Sequence, residues 1–159
     1  MGILSDEMQR MVQRQRLGYV ATVCPDGTPN LSPKGTTKVW DDSSLIFADL
    51  ASPNTIRNLR HNPAIEVNVV DPISRKGYRF KGTARVLTEG DEFERALAFY
   101  ECNGLADPRR RIHAIVIIAV TQAQPLISPA YDSGASEAEI RAQWKRYWAQ
   151  VESHGNGGE

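Results

Sequence analysis

Two stretches carry the residue types from which an anion site is built. In NLSPKGTTKV, Ser32, Lys34, Thr36 and Lys38 fall on alternate positions, so an extended chain places hydroxyls and ammonium groups on one face. The competing reading is the solvated outer face of a sheet. Farther on, LIFADLASPNTIRNLRHN runs from a short apolar segment into small polar residues. Ser52 stands where an N-cap belongs and Pro53 at the first helical position, which predicts a helix to about Asn62, stopped by Pro63. The free N–H groups and positive dipole end of that helix face whatever lies beyond Ala48 to Ser52. Such a position seats a phosphate, or else it is an ordinary capped helix that binds water.

Other chemistries find less support. Cys24 and Cys102 are far apart, and His61, His113 and His154 fall in three segments with no second ligand within a helical turn, so no metal site is expected. No Ser-His-Asp order or nucleophile elbow is present. Lys and Arg number 19 against 19 Asp and Glu, a balance that argues against nucleic acid as partner. No apolar run approaches the roughly 18 residues of a membrane span. MGILSDEMQR lacks the pattern of a secretory signal, and Ser5 comes one place early for a myristoylation motif, so a reduced, cytoplasmic setting is expected.

The elements that must position these residues follow from periodicity. Asp6 to Arg16 reads as a short amphipathic helix through Met8, Met11 and Val12. GYVATVCPDGTPNLSPKGTTKVW reads as two strands around Pro25-Asp26-Gly27. Leu45 to Leu50 is a third strand, Ala64 to Asp71 a fourth and Tyr78 to Leu87 a fifth, with Arg79, Lys81, Thr83 and Arg85 along its polar face. Glu89 to Asn103 is a helix that Thr88 can cap. Arg109 to Arg111 lie in a polar loop, free for an anion or merely solvated. IHAIVIIAV is a sixth strand, too continuously apolar to be exposed on either face. Ser136 and Glu139 form a capping box before a helix of about 136–152 that carries Ile140, Trp144, Tyr147, Trp148 and Val151 on one stripe. That stripe packs on its own barrel or on another subunit, and disorder is expected over 155–159. The whole, 1–159, reads as one domain: a mainly β (α+β), six-stranded antiparallel barrel with peripheral helices and a core of about 17–120.

From about Leu17 to Val120 the sequence resembles the flavin-binding split barrels related to pyridoxamine 5′-phosphate oxidase, through NLSPKGTTKVWDDSSLIFADLASPNTIRNLRHNPAIEVNVVD and RKGYRFKGTARVL. The resemblance implies a split barrel and a homodimer that holds flavin mononucleotide (FMN) in clefts at the subunit interface. It assigns the phosphate and ribityl chain to Ser32, Lys34, Gly35, Ser52, Asn54 and Thr55. It sets backbone groups of Ala48 and Asp49 against the ring edge and brings Lys76 and Tyr78, with Arg79 as a weaker candidate, near the site. Pro53 and Asn54 stand where the family often has a lysine or arginine, which shifts phosphate neutralisation toward Lys34.

The activity implied is that of a flavin-dependent oxidoreductase acting with a small-molecule electron donor or acceptor. The arginine-rich C-terminal segment of true pyridoxamine 5′-phosphate oxidases is not recognisable, so that named activity is not expected. The alternative is a non-catalytic carrier of flavin, deazaflavin or haem, and for haem the axial ligand would have to be His61 or His113. No catalytic acid or base is assigned.

Overall fold

The computed structural model describes residues 2–155. Strand periodicity is realised in seven strands: β1 (Gly18–Val23), β2 (Pro29–Lys34), β3 (Lys38–Val39), β4 (Ser44–Asp49), β5 (Ala64–Asp71), β6 (Lys76–Leu87) and β7 (Ala114–Ile127). The helices are α1 (Asp6–Gln15), α2 (Pro53–His61), α3 (Asp91–Cys102), α4 (Pro108–Arg111) and α5 (Glu137–Gly155). All strand pairs are antiparallel, in the order β2-β1-β5-β6-β7-β4-β3. The split-barrel expectation holds, with seven strands in place of six.

The extra strand arises because the segment after Lys34 does not continue β2. At Gly35 to Thr37 the chain turns, with the Thr37 N–H and hydroxyl both donating to Lys34 O (3.3 and 2.8 Å). It then pairs with β4 at the opposite edge of the sheet. This link dictates the curvature. Seven flat strands at the usual spacing would put the two edges about 29 Å apart, whereas four residues of extended chain reach about 14 Å. The sheet must therefore curl until its edges approach. Thr36 closes the seam: its hydroxyl donates to Ala48 O (2.9 Å) and accepts from Ala48 N (3.0 Å), standing in for the backbone of a ladder. The carbonyl of Thr36 is turned away, toward the buried Tyr100 hydroxyl, which donates to it at 2.8 Å.

Curling gives two cores. Val20, Phe47, Val67, Val69, Phe80, Val116 and Ile118 fill the barrel, closed by Leu4 and Val12 at the α1 end and by Ile56 and Leu59 of α2. Ile46, Ile115 and Ile117 face outward under Ala96, Leu97 and Tyr100 of α3. The start of β7 is thus apolar on both faces because it has a core on each side. Beyond Val120 it runs on to Ile127 as the partner of β6, with a register shift opposite Lys81 and Gly82.

Three local expectations are corrected. The start of α3 is set by Gly90 (φ +93°), with Asp91, Glu92 and Glu94 at the positive dipole end, and Thr88 does not cap it. The arginines at 109–111 lie in the short α4, and Arg109 is paired with Glu94. The capping box of α5 is present, Glu139 N–H donating to Ser136 Oγ (3.3 Å) and Ser136 N–H to Glu139 Oε2 (2.8 Å), but the helix runs through Gly155. The remainder of the expected disordered tail, 156–159, lies outside the described residues.

Because both polar backbone groups of the buried Ala48 depend on one hydroxyl, Thr36→Val should destabilise the protein by about 1–3 kcal/mol. Urea unfolding with an unchanged m-value would register it, and a loss below a few tenths would show that the seam is held elsewhere.

Candidate functional site

The seam that closes the barrel also assembles a cation. Ser32 and Lys34 lie on the same face of the edge strand β2, and the curl brings that face against the end of β4 and the start of α2. Lys34 ends opposite Gly18, where an added Cβ would meet Thr37 Oγ1 at 2.6 Å; the missing side chain lets the turn after Lys34 fold down over β1. The expectation of a solvated cationic face is therefore replaced at Lys34, which is 4% exposed. Its Nζ donates to Ser52 Oγ at 2.8 Å and to Ser32 Oγ.

Ser52 occupies the N-cap position but its side chain makes no capping bond, since its hydroxyl is taken by Lys34. Asp49 organises the turn instead: Oδ1 accepts from Ser52 N at 2.6 Å. The N–H groups of Asn54 and Thr55 have no preceding helical carbonyl to bond and open the positive end of α2 beside the ammonium. Thr55 is buried and Asn54 exposed. Gly35 sits on the exposed turn with nothing within 4 Å of an added Cβ. Both backbone groups of Ala48 are taken by Thr36, and the Asp49 carbonyl accepts from His113 N–H (2.9 Å).

Burial pushes the Lys34 ammonium below the usual lysine value, and the Asp49 carboxylate pulls it partly back. An ammonium hydrogen-bonded to two neutral hydroxyls, with the carboxylate oriented toward a backbone N–H, keeps donor capacity for an incoming anion. Eight of the ten residues singled out in the sequence thus meet around this seam.

The other two do not. Lys76 and Tyr78 lie on β6, three strands along the sheet from β2, about 14 Å at the usual spacing. They line a separate cleft with Arg10 and Arg14 of α1 and Glu137 and Arg141 of α5. Lys76 is paired there with Glu137 (2.9 Å) and stacked on Tyr131. The rest of the β6 cationic stripe is ion-paired: Arg79 and Lys81 share Glu66, and Arg85 pairs with Glu92. Among the described residues no group of three His, Cys, Asp or Glu could hold a metal, and no helix is long and apolar enough to cross a membrane. His61 and His113 are both exposed.

A family model described as pyridoxamine 5′-phosphate oxidase matches residues 4–124, from α1 into the second half of β7. The chain belongs to this family. The crystal structure of HupZ from Group A Streptococcus is 34% identical, superposes with a TM-score of 0.70, and the match covers 79% of this chain and 95% of that one. An FMN-binding protein from Syntrophomonas wolfei shares the fold at 14% identity and TM-score 0.63, covering 76% of this chain and 84% of that one. An F420 reductase does so at 24% and 0.60, covering 76% and 98%. In this member of the family α5 lies beyond the matched residues.

Sequence reasoning placed Thr36 on the polar face beside Lys34 but not in the closure of the seam, and it missed the parts of Thr37 and Tyr100 and the arginines of α1. The partner of Thr36 is on β4 and Tyr100 is on α3, both remote in sequence from Lys34, and no local pattern shows that they meet there.

The direction of the Lys34 shift fixes a pH effect. Between its native value and the higher unfolded one, the unfolded state binds more protons, so stability attributable to Lys34 rises with pH in that alkaline window; below it the cost of burying the charge is fully present. Urea titrations at pH 8 and pH 10 should therefore show wild type gaining stability relative to Lys34→Met. Parallel pH profiles for the two proteins would show that Lys34 is not desolvated.

Proposed function

We propose that the chain is an FMN-binding oxidoreductase that works as a homodimer, with the flavin phosphate at the Lys34 seam. The observation that carries this reading is the buried Lys34 ammonium, held by two hydroxyls at a helix N-terminus. The donor set suits a phosphate: Lys34, Ser32, Ser52 and the free N–H groups of Asn54 and Thr55. Asp49 is the one unfavourable charge, and its hydrogen bond to Ser52 N turns one oxygen inward. Gly35 leaves room for the ribityl chain, Ala48 and Asp49 would lie beneath the ring edge, and Lys76 and Tyr78 would reach the cofactor from a second copy. When bound, the flavin supplies the electron transfer, and these residues hold and orient it. Family membership and the shared fold with an FMN-binding protein and an F420 reductase support the same class.

The dimer is supported by α5. Ile140 is buried and Trp144 lies under the Arg75 guanidinium (4.1 Å), but Tyr147, Trp148 and Val151 on the same stripe are 40–48% exposed. An apolar stripe that leaves its own barrel half-way along suits a second copy.

Lys34→Ala should weaken FMN binding about 10- to 150-fold, the scale of roughly 1.5–3 kcal/mol for a hydrogen bond to a charged group. Riboflavin, which lacks the phosphate, should bind weakly and respond little. Ser52→Ala should cost less affinity, and its stability loss of about 1–3 kcal/mol should come from the acceptor taken from the buried Lys34 ammonium and not from a helix cap. Equal losses for both flavins in a fluorescence titration would place the anion site elsewhere. For the dimer, Trp148→Glu should shift sedimentation at micromolar concentration from dimer to monomer while the barrel melts as before. Wild type that sediments as a monomer with flavin bound removes the dimer from the proposal.

A further inference from the structure

A cleft of about 180 Å³ lies between the C-terminal ends of α1 and α3 and the edge strand β3, lined by Gln13, Arg16, Lys38, Val39, Phe99 and Asn103. None of these is among the residues assigned to the cofactor. Lys38 stands opposite Ile46 in the β3–β4 ladder, and Ile46 lies under α3, so Lys38 is on the outer, α3 face of the sheet. Phe99 is fixed there by edge-to-face contacts with Trp40 and Tyr100, ring centroids 5.3 and 5.5 Å away.

Its two cations have no ion pair among the described residues. Lys38 is half-buried, and burial, then the charge of Arg16, hold its ammonium below the usual lysine value. Arg16 ends α1 in the left-handed region (φ +54°), its N–H donating to Val12 O at 3.1 Å. Helices that end this way usually place glycine or asparagine there, because a Cβ is disfavoured in that conformation. Arg75, the other arginine with positive φ, has its guanidinium over Trp144. Arg16 has no such partner and stands beside a second cation. The carbonyls that end α3 are already engaged, Phe99 O by the Asn103 N–H and Tyr100 O by the Leu105 N–H (3.0 Å each). A backbone held at positive φ, bringing a guanidinium beside a half-buried ammonium, is a cost that no carboxylate of the chain offsets.

We propose that this cleft is a site for a doubly charged tetrahedral oxyanion, inorganic phosphate or sulfate, gripped between Arg16 and Lys38. The guanidinium offers paired N–H donors and the ammonium a point charge. Asn103 uses one Nδ2 hydrogen on Phe99 O (2.8 Å) and keeps the other, and the Gln13 amide adds a further neutral donor. The volume is well below the roughly 300–1,000 Å³ of sites for drug-sized ligands, so a bare oxyanion fits and a nucleotide does not. Bound there, the anion ties the ends of α1 and α3 to β3. The site does not rest on the flavin reading, since neither Lys34 nor Ser52 lines it.

The test is calorimetric titration of the full chain with inorganic phosphate and with sulfate, at an ionic strength held constant with chloride. Because the Lys34 seam could also take phosphate, the titration is made on Lys34→Ala, which should still bind one oxyanion per chain. Adding Arg16→Gly should weaken binding at least tenfold, yet in chloride this variant should melt at or above its parent, because glycine adopts the left-handed conformation freely. Lys38→Gln should weaken binding to a similar degree, and the melting temperature of each parent should rise with oxyanion concentration more steeply than that of its variants. Absence of binding in Lys34→Ala, or binding indifferent to both Arg16 and Lys38, overturns the proposal. Loss of FMN affinity in Arg16→Gly also overturns it, because the cleft would then belong to the flavin site. If FMN does not bind at all while phosphate behaves as expected, the flavin reading fails and this one stands.

Discussion

The constraint on which the rest of the structure depends is the short link between β2 and β3. It joins the two edges of a seven-stranded sheet with too few residues to span a flat one, so the sheet has to curl. Once it curls, Thr36 can substitute its hydroxyl for a backbone partner of Ala48, and the polar groups of an otherwise bare strand edge are satisfied. An open edge would have been a site for unwanted pairing. The same movement closes one core inside the barrel and leaves the outer face of β4 and β7 to be covered by α3, whose Tyr100 reaches back to the carbonyl of Thr36.

The candidate site is a by-product of that closure. A lysine at the end of an edge strand would ordinarily extend into water, with its charge solvated. Here the strand end is pressed against a second strand end and a helix start, and the ammonium is left among hydroxyls. Burying a charge is costly unless it is compensated. The compensation available within the chain, two neutral acceptors and the Asp49 carboxylate, is partial, which is why Lys34 titrates below its ordinary value.

The two clefts differ in how they are made. The Lys34 seam is built from the barrel itself, within the residues shared with the family. The cleft between α1 and α5 needs the C-terminal helix, tied down through Asp71, Arg75 and Lys76 at the β5–β6 turn. Its chemistry can therefore vary among relatives that keep the barrel, as loops and appended elements do on a fixed scaffold.

The sequence by itself determined the barrel class, the amphipathic α1, the capping box of α5, the doubly buried start of β7 and the alternation that puts Ser32 and Lys34 on one face. Each is written in a local period, a cap or an unbroken apolar run, and local patterns survive without knowledge of the partner. Tertiary structure alone decided that β3 separates from β2, that the Ser52 hydroxyl serves Lys34 and not the helix, that Lys34 is buried, and that Lys76 is paired with Glu137. Each of these turns on which distant segment lies opposite: β4 for Thr36, α2 for Lys34, α5 for Lys76. A side chain's period tells which face it is on; only the closed fold tells what that face meets.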